Sequence, residues 1–161
     1  MPTIATSCKP PPNAADWKAA KGTALLFQTP AFERDCFVRE GVPADYIDGL
    51  ADRLGESSSK LYTLLHIPFA RATRRKPENA RLSVESSDRV VGFAKLIGQI
   101  ETIMQESGNP ERFNAAHWLR DWISRPSAAL GNHRPEELLY TSDGREMISE
   151  ILARGQTGAY S

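Results

Sequence analysis

The sequence predicts an all-α protein, on three observations. From residue 44 onward apolar residues return every three or four positions, the period of a helix with a buried face. Ser, Asn, Thr, Pro and Gly interrupt these runs where helices start and stop. No stretch alternates apolar and polar residues long enough to make a strand. The 161 residues fit one compact domain or two very small ones, and no internal repeat is visible.

Residues 1–41 read as an N-terminal arm, partly extended. Lys9-Pro10-Pro11-Pro12-Asn13 favours a polyproline path. Ala24-Leu25-Leu26-Phe27 is an apolar cluster that docks either on the body or on a partner. A helix follows over 44–54, with Tyr46, Ile47, Leu50 and Leu54 on one face and Gly55 as its stop. Ser57, Ser58 or Ser59 caps the next helix, whose apolar positions are Leu61, Leu64 and Leu65. His66-Ile67-Pro68 breaks it, and a third helix carries Arg71, Arg74, Arg75 and Lys76 before Pro77 ends it.

Ser83 caps a long helix over 84–106 that is apolar around more than half its circumference, so it is expected to be buried on two sides. Asn109-Pro110 starts a helix running to Ser124, with Phe113, Trp118, Leu119, Trp122 and Ile123 inside. Leu130-Gly131 reads as a short turn with a glycine cap, and Pro135 starts another. Thr141 caps the last helix, with Met147, Ile148, Ile151 and Leu152 on its inner face and Gly155 as C-cap. The expected organisation is an arm over 1–41, a helix-turn-helix and dimerisation domain over 42–107, and a helical C-terminal domain over 108–161 with a flexible tail.

Composition excludes several classes. With 20 Lys and Arg against 20 Asp and Glu, the chain is not a generally basic nucleic-acid coat protein, although a local basic patch remains open. The N-terminus lacks the charged and apolar regions of a signal peptide, and no apolar run approaches the ~20 residues of a membrane span, so a cytoplasmic protein is expected. Cys8 and Cys36 have no metal-spaced partners and read as free thiols.

The helix-turn-helix over 57–76 is the first candidate site. Leu61, Leu64 and Ile67 fill its inner angle, while Arg71, Arg74 and Arg75 share one face. Residues 71–81 hold five basic residues against Glu78, and such a face can make charge-assisted contacts to DNA. The bland alternative is a solvated basic helix. His66 stands where the turn usually has a glycine, and Tyr62 fills a slot that is usually small. The histidines His66, His117 and His133 lie in separate segments without ligand spacing, no nucleophile motif or phosphate loop occurs, and neither metal nor cofactor nor catalysis is expected. Trp118 and Trp122, one turn apart, read as core rather than as a ligand cage.

Taken together, residues 44–161 resemble the Xre/MbcA/ParS antitoxins, the partners of RES-domain toxins. The residues that carry the resemblance are Leu64-Leu65-His66-Ile67-Pro68, Arg74-Arg75-Lys76, and Arg81-Leu82-Ser83 with Glu85 and Ser87-Asp88-Arg89. The later half adds Trp118-Leu119, Pro126 with Ala129-Leu130-Gly131, and Arg134-Pro135 with Leu138-Leu139, Thr141 and Gly144. It closes with Ile151-Leu152, Arg154 and Gly158; Ala80 stands where a glycine is commoner.

The resemblance implies a non-enzymatic antitoxin of a type II toxin–antitoxin system. Its helix-turn-helix would repress its own operon through Arg71, Arg74, Arg75 and Lys76. Its C-terminal region would block the NAD site of a toxin that consumes NAD or transfers ADP-ribose. Arg134, Arg145 and Arg154 would pair with acids on the toxin's rim, and a tail of Gly158, Tyr160 and Ser161 would enter the cleft. A homodimer is expected, because two-fold operators are read by two-fold proteins, with Ile97, Ile100 and Met104 at its contact. The alternative is a repressor that senses a small ligand and has no toxin partner.

Overall fold

The computed structural model describes residues 20–68, 80–108 and 111–156. Seven α-helices appear there: α1 (Ala20–Gln28), α2 (Ala31–Glu40), α3 (Asp45–Leu54), α4 (Ser58–Leu64), α5 (Val84–Glu106), α6 (Ala115–Ile123) and α7 (Ser142–Gln156). Two 3₁₀ turns, Ala128–Leu130 and Pro135–Leu138, join α6 to α7. Among the described residues the only β pairing is two isolated bridges, Pro43 with Arg81 and Ser127 with His133.

The 23-residue α5 is the axis of the fold, and Ser83 caps it by accepting the Ser86 N–H at 3.2 Å. Its buried residues run almost without interruption from Val90 to Glu101, so it is enclosed on more than one side as its composition predicts. Helices α1, α2, α6 and α7 all pack on it. This enclosure corrects the expected dimer contact. Ile97 and Ile100 are 0% and 4% exposed inside a single chain, so they fill its own core and offer nothing to a second copy. Met104 lies at the edge of the same core, half-buried.

The arm also needs correction over its described part. Residues 20–40 form α1 and α2, and Leu26, from the apolar cluster, is 1% exposed in the core. α1 lies so close to α5 that a Cβ on Gly98 would collide with the Thr23 carbonyl. A buried polar knot fixes the contact: Thr23 Oγ1 donates to Glu101 Oε2 at 2.6 Å, and the Arg53 guanidinium, from α3, binds both Thr23 Oγ1 and Glu101. α2 escaped the periodicity reading because its buried residues, Cys36, Phe37 and Val38, are consecutive rather than spaced. Cys36 is disulfide-bonded, not the free thiol expected.

Elsewhere local signals worked. Gly55 ends α3 at φ +67°, Ser57 caps α4 through the Lys60 N–H, and Gly131 closes the first 3₁₀ turn at φ +62°. α6, however, begins at Ala115, with the Asn114 side chain accepting the His117 N–H at 3.0 Å, not at Asn109-Pro110. An asparagine with a free N–H three residues on outcompetes the earlier signal. α7 continues to Gln156, so Gly155 lies inside it. Ile148 and Leu152 are buried as expected, but Met147 is 49% exposed. No helix among the described residues is long and apolar enough to cross a membrane.

Candidate functional site

The first α7 turn closes the C-terminal region onto α5. Thr141 Oγ1 accepts the Gly144 N–H at 3.1 Å, and a Cβ on Gly144 would strike the Leu138 carbonyl, so that position requires glycine. Arg145 is 6% exposed and crosses to α5, where its guanidinium binds Asp88 and donates to the Leu139 carbonyl at 2.9 Å. It passes over Gly92, where a Cβ would press against it. Arg145, expected on a toxin's rim, is therefore held inside the fold.

Beside this clamp is a polar hollow lined by Arg34, Asp88, Lys95, Arg145 and Glu146, with a volume of roughly 270 Å³. Burial, and then the nearby Arg34 charge, push the Lys95 ammonium below the usual lysine range. Arg34 is itself turned to the C-terminal carbonyls of α1, donating to Leu26 and Phe27 at 3.3 Å.

The other surface cations expected to meet a partner sit in local pairs. Arg134 bonds Glu136 at 2.9 Å and Glu137 at 3.4 Å, and Arg154 lies 3.6 Å from Glu150 on α7. The Glu137 carboxyl is held below the usual range, first by His133 and then by the Arg134 N–H. Gly158, Tyr160 and Ser161 lie outside the described residues.

Behind the last turns of α5 and α7 lies a surface the sequence reading did not find. Trp118 and Trp122 stack with centroids 5.8 Å apart and planes 10° apart, and Phe113 tilts against Trp118 at 6.3 Å. Trp118 is 38% exposed, so the pair stands at the margin of the core rather than within it as expected. With Ile103, Met104, Ile151, Leu152 and Gly155 the rings line an open groove of roughly 610 Å³. Among the described residues, no charged side chain lines it. The signal that could have found it is three aromatics, Trp118 and Trp122 on a nine-residue helix and Phe113 just before it, more than so short an element can bury.

At the other candidate site, the structure fixes both ends of the segment holding the basic face. His66 takes φ +53°, a left-handed turn that histidine tolerates better than most side chains. Its carbonyl accepts from Arg89 at 2.6 Å and its ring lies 4.7 Å from Tyr140. Tyr62, in the slot that is usually small, is 1% exposed in the core. At the far end the Ala44 and Leu82 N–H groups bond the Ala80 and Val42 carbonyls at 2.9 and 2.8 Å. Arg71, Arg74, Arg75 and Lys76 lie outside the described residues. Among those described, no group of three or more His, Cys, Asp or Glu is placed to hold a metal.

Comparisons with known proteins match two parts of the chain. Residues 35–95 match the antitoxin Xre-like helix-turn-helix domain, and residues 111–158 match the antitoxin Xre/MbcA/ParS C-terminal toxin-binding domain. The chain is 33% identical over 136 residues to a Prs ADP-ribosylating antitoxin of Sphingobium sp. (strain YBL2), a match covering 84% of this chain and 86% of the relative. It is 22% identical over 161 residues to an Antitoxin Xre of Yersinia enterocolitica, covering 99% and 97%.

Proposed function

We propose that this chain, which belongs to the Xre/MbcA/ParS family of antitoxins, neutralises a RES-domain toxin by occluding its NAD site. That it is the antitoxin of a toxin–antitoxin system follows from the family. The name of its Sphingobium relative supports a partner with ADP-ribosylating chemistry.

One observation carries the proposal. The residues matching a toxin-binding domain, 111–158, hold α6, both 3₁₀ turns and α7, and they run past Gln156 toward Gly158, Tyr160 and Ser161. An NAD pocket is concave and mixed in polarity, and an aromatic ring delivered by a short segment containing a glycine suits it. The antitoxin then needs no chemistry of its own. Arg134 and Arg154 join this surface as rim contacts, exchanging their local carboxylates for acids on the toxin.

The matching helix-turn-helix domain supports a second role, repression of the antitoxin's own operon through Arg71, Arg74, Arg75 and Lys76. A homodimer suits a two-fold operator. Its contact lies elsewhere than Ile97 and Ile100, which are buried in one chain.

The test is a chain ending at Gly155, assayed as the purified complex for NAD consumption. The truncated complex is expected to consume NAD while the full-length complex does not, since losing an interface anchor commonly costs ~2 kcal/mol or more. Full inhibition by the truncated chain at equal concentration overturns the plug.

A further inference from the structure

We propose that the Trp118–Trp122 groove is where the body of the antitoxin grips its toxin, taking an apolar cluster of aliphatic or aromatic side chains from one helix or loop of that protein. The proposal deepens the toxin-binding reading and rests on it.

Three features support this occupant. Most of the lining, including Phe113, Trp118, Trp122, Ile151 and Leu152, falls within the residues that match a toxin-binding domain. Among the described residues no Asp, Glu, Lys or Arg lines the groove, so they offer no partner to a nucleic-acid backbone or a nucleotide phosphate; an apolar side chain suits them. Finally, Gly155, one residue before α7 stops, lines the groove. Tyr160 follows Gln156 by four residues, a reach of at most about 14 Å. A toxin seated in the groove thus lies within reach of the segment proposed to enter its cleft, and two linked contacts hold more tightly than either alone.

The stacked tryptophans, Trp118 exposed and Trp122 partly buried, suit an anchor. Trp is among the residues that most often carry interface energy, and a rigid ring pair loses little freedom when covered. The polar hollow at Arg34, Lys95 and Arg145 shows the contrast. It is lined by charges of both signs, several of them already bonded inside the fold.

Two full-length variants test the proposal, Trp118→Ala and Ala129→Glu. Ala129 is exposed on the groove wall, so the second keeps the test decisive if the first fails to fold. Each is titrated calorimetrically against an inactivated form of the toxin it neutralises, after circular dichroism has established folding. Both are expected to bind about thirty-fold more weakly or worse, with unchanged sedimentation. Wild-type affinity in a folded Ala129→Glu overturns the groove. So does altered self-association at unchanged toxin affinity, which would make a second copy the occupant.

The chain ending at Gly155 separates the two proposals. If it inhibits fully while the groove variants lose binding, the plug fails and the groove stands. If it fails to inhibit while the groove variants bind normally, the groove fails and the plug stands.

Discussion

At the first turn of α7, Thr141 caps the helix, Gly144 admits the Leu138 carbonyl, and Arg145 satisfies Asp88 and the Leu139 carbonyl together. At its last turns, Ile151, Leu152 and Gly155 border an open aromatic groove whose rings are partly exposed. One end of the helix is closed by specific polar bonds, and the other presents uncommitted apolar surface. Leu139, Thr141 and Gly144, which carry much of the sequence resemblance, all sit at the closed end. Trp118, Ala129, Ile151 and Leu152, which carry the resemblance too, line the open groove, so the motif spans both ends.

Removing Arg145 should show the largest difference between the ends. Arg145→Ala leaves the Leu139 carbonyl without its donor and Asp88 without its partner. Because the Asp88 side chain is 53% exposed, the cost falls below that of a fully buried broken pair, at about 2–3 kcal/mol. A thermal melt should shift down by roughly 5–10 °C, while toxin affinity well below the transition stays as in wild type. An unchanged melt with lost toxin binding would break the comparison and return Arg145 to the interface.

Thr141→Ala removes a cap and should cost about 1 kcal/mol. Denaturant unfolding measures it, again with toxin affinity intact. Lys95→Met should do least and in the opposite direction. Burial and Arg34 lower the Lys95 pKa in the folded state, so its charged form opposes folding below that pKa, and the opposition fades as pH rises toward the unfolded lysine value. The substitution should raise the Tm slightly at pH 7, the gain being reduced by solvent screening, and the gain should shrink near pH 10. A loss of Tm at pH 7 would mean that Lys95 supports the clamp rather than straining it.

How far the sequence led follows from the same physics. Many caps and stops that act within four residues were readable: Ser83, Thr141, Gly55 and Gly131 do what their type and position predict and Ser57 is the one of three candidate serines that caps α4, whereas Asn109-Pro110 and Gly155 misled. The helices at 20–40 were not, because α1 and α2 are held by contacts to distant α5, including Thr23 to Glu101 and the Gly98 approach. Arg145 was legible as a cation on a helix, but its partner, Asp88, is 57 residues away, and nothing local says that it is buried. Trp118 and Trp122 were legible as a helical pair. Whether such a pair fills a core or lines a groove depends on what α5 and α7 leave uncovered, which spacing alone does not encode.

Hydroxyl-radical footprinting of the full-length antitoxin, free and in complex with its toxin, tests the division between the two ends most directly. Trp118 and Tyr140 are both oxidisable and similarly exposed, at 38% and 44%, but Trp118 lines the groove whereas Tyr140 packs against His66. The account predicts that the toxin protects Trp118 and leaves Tyr140 as reactive as before. Protection of Tyr140 with Trp118 unchanged would contradict it.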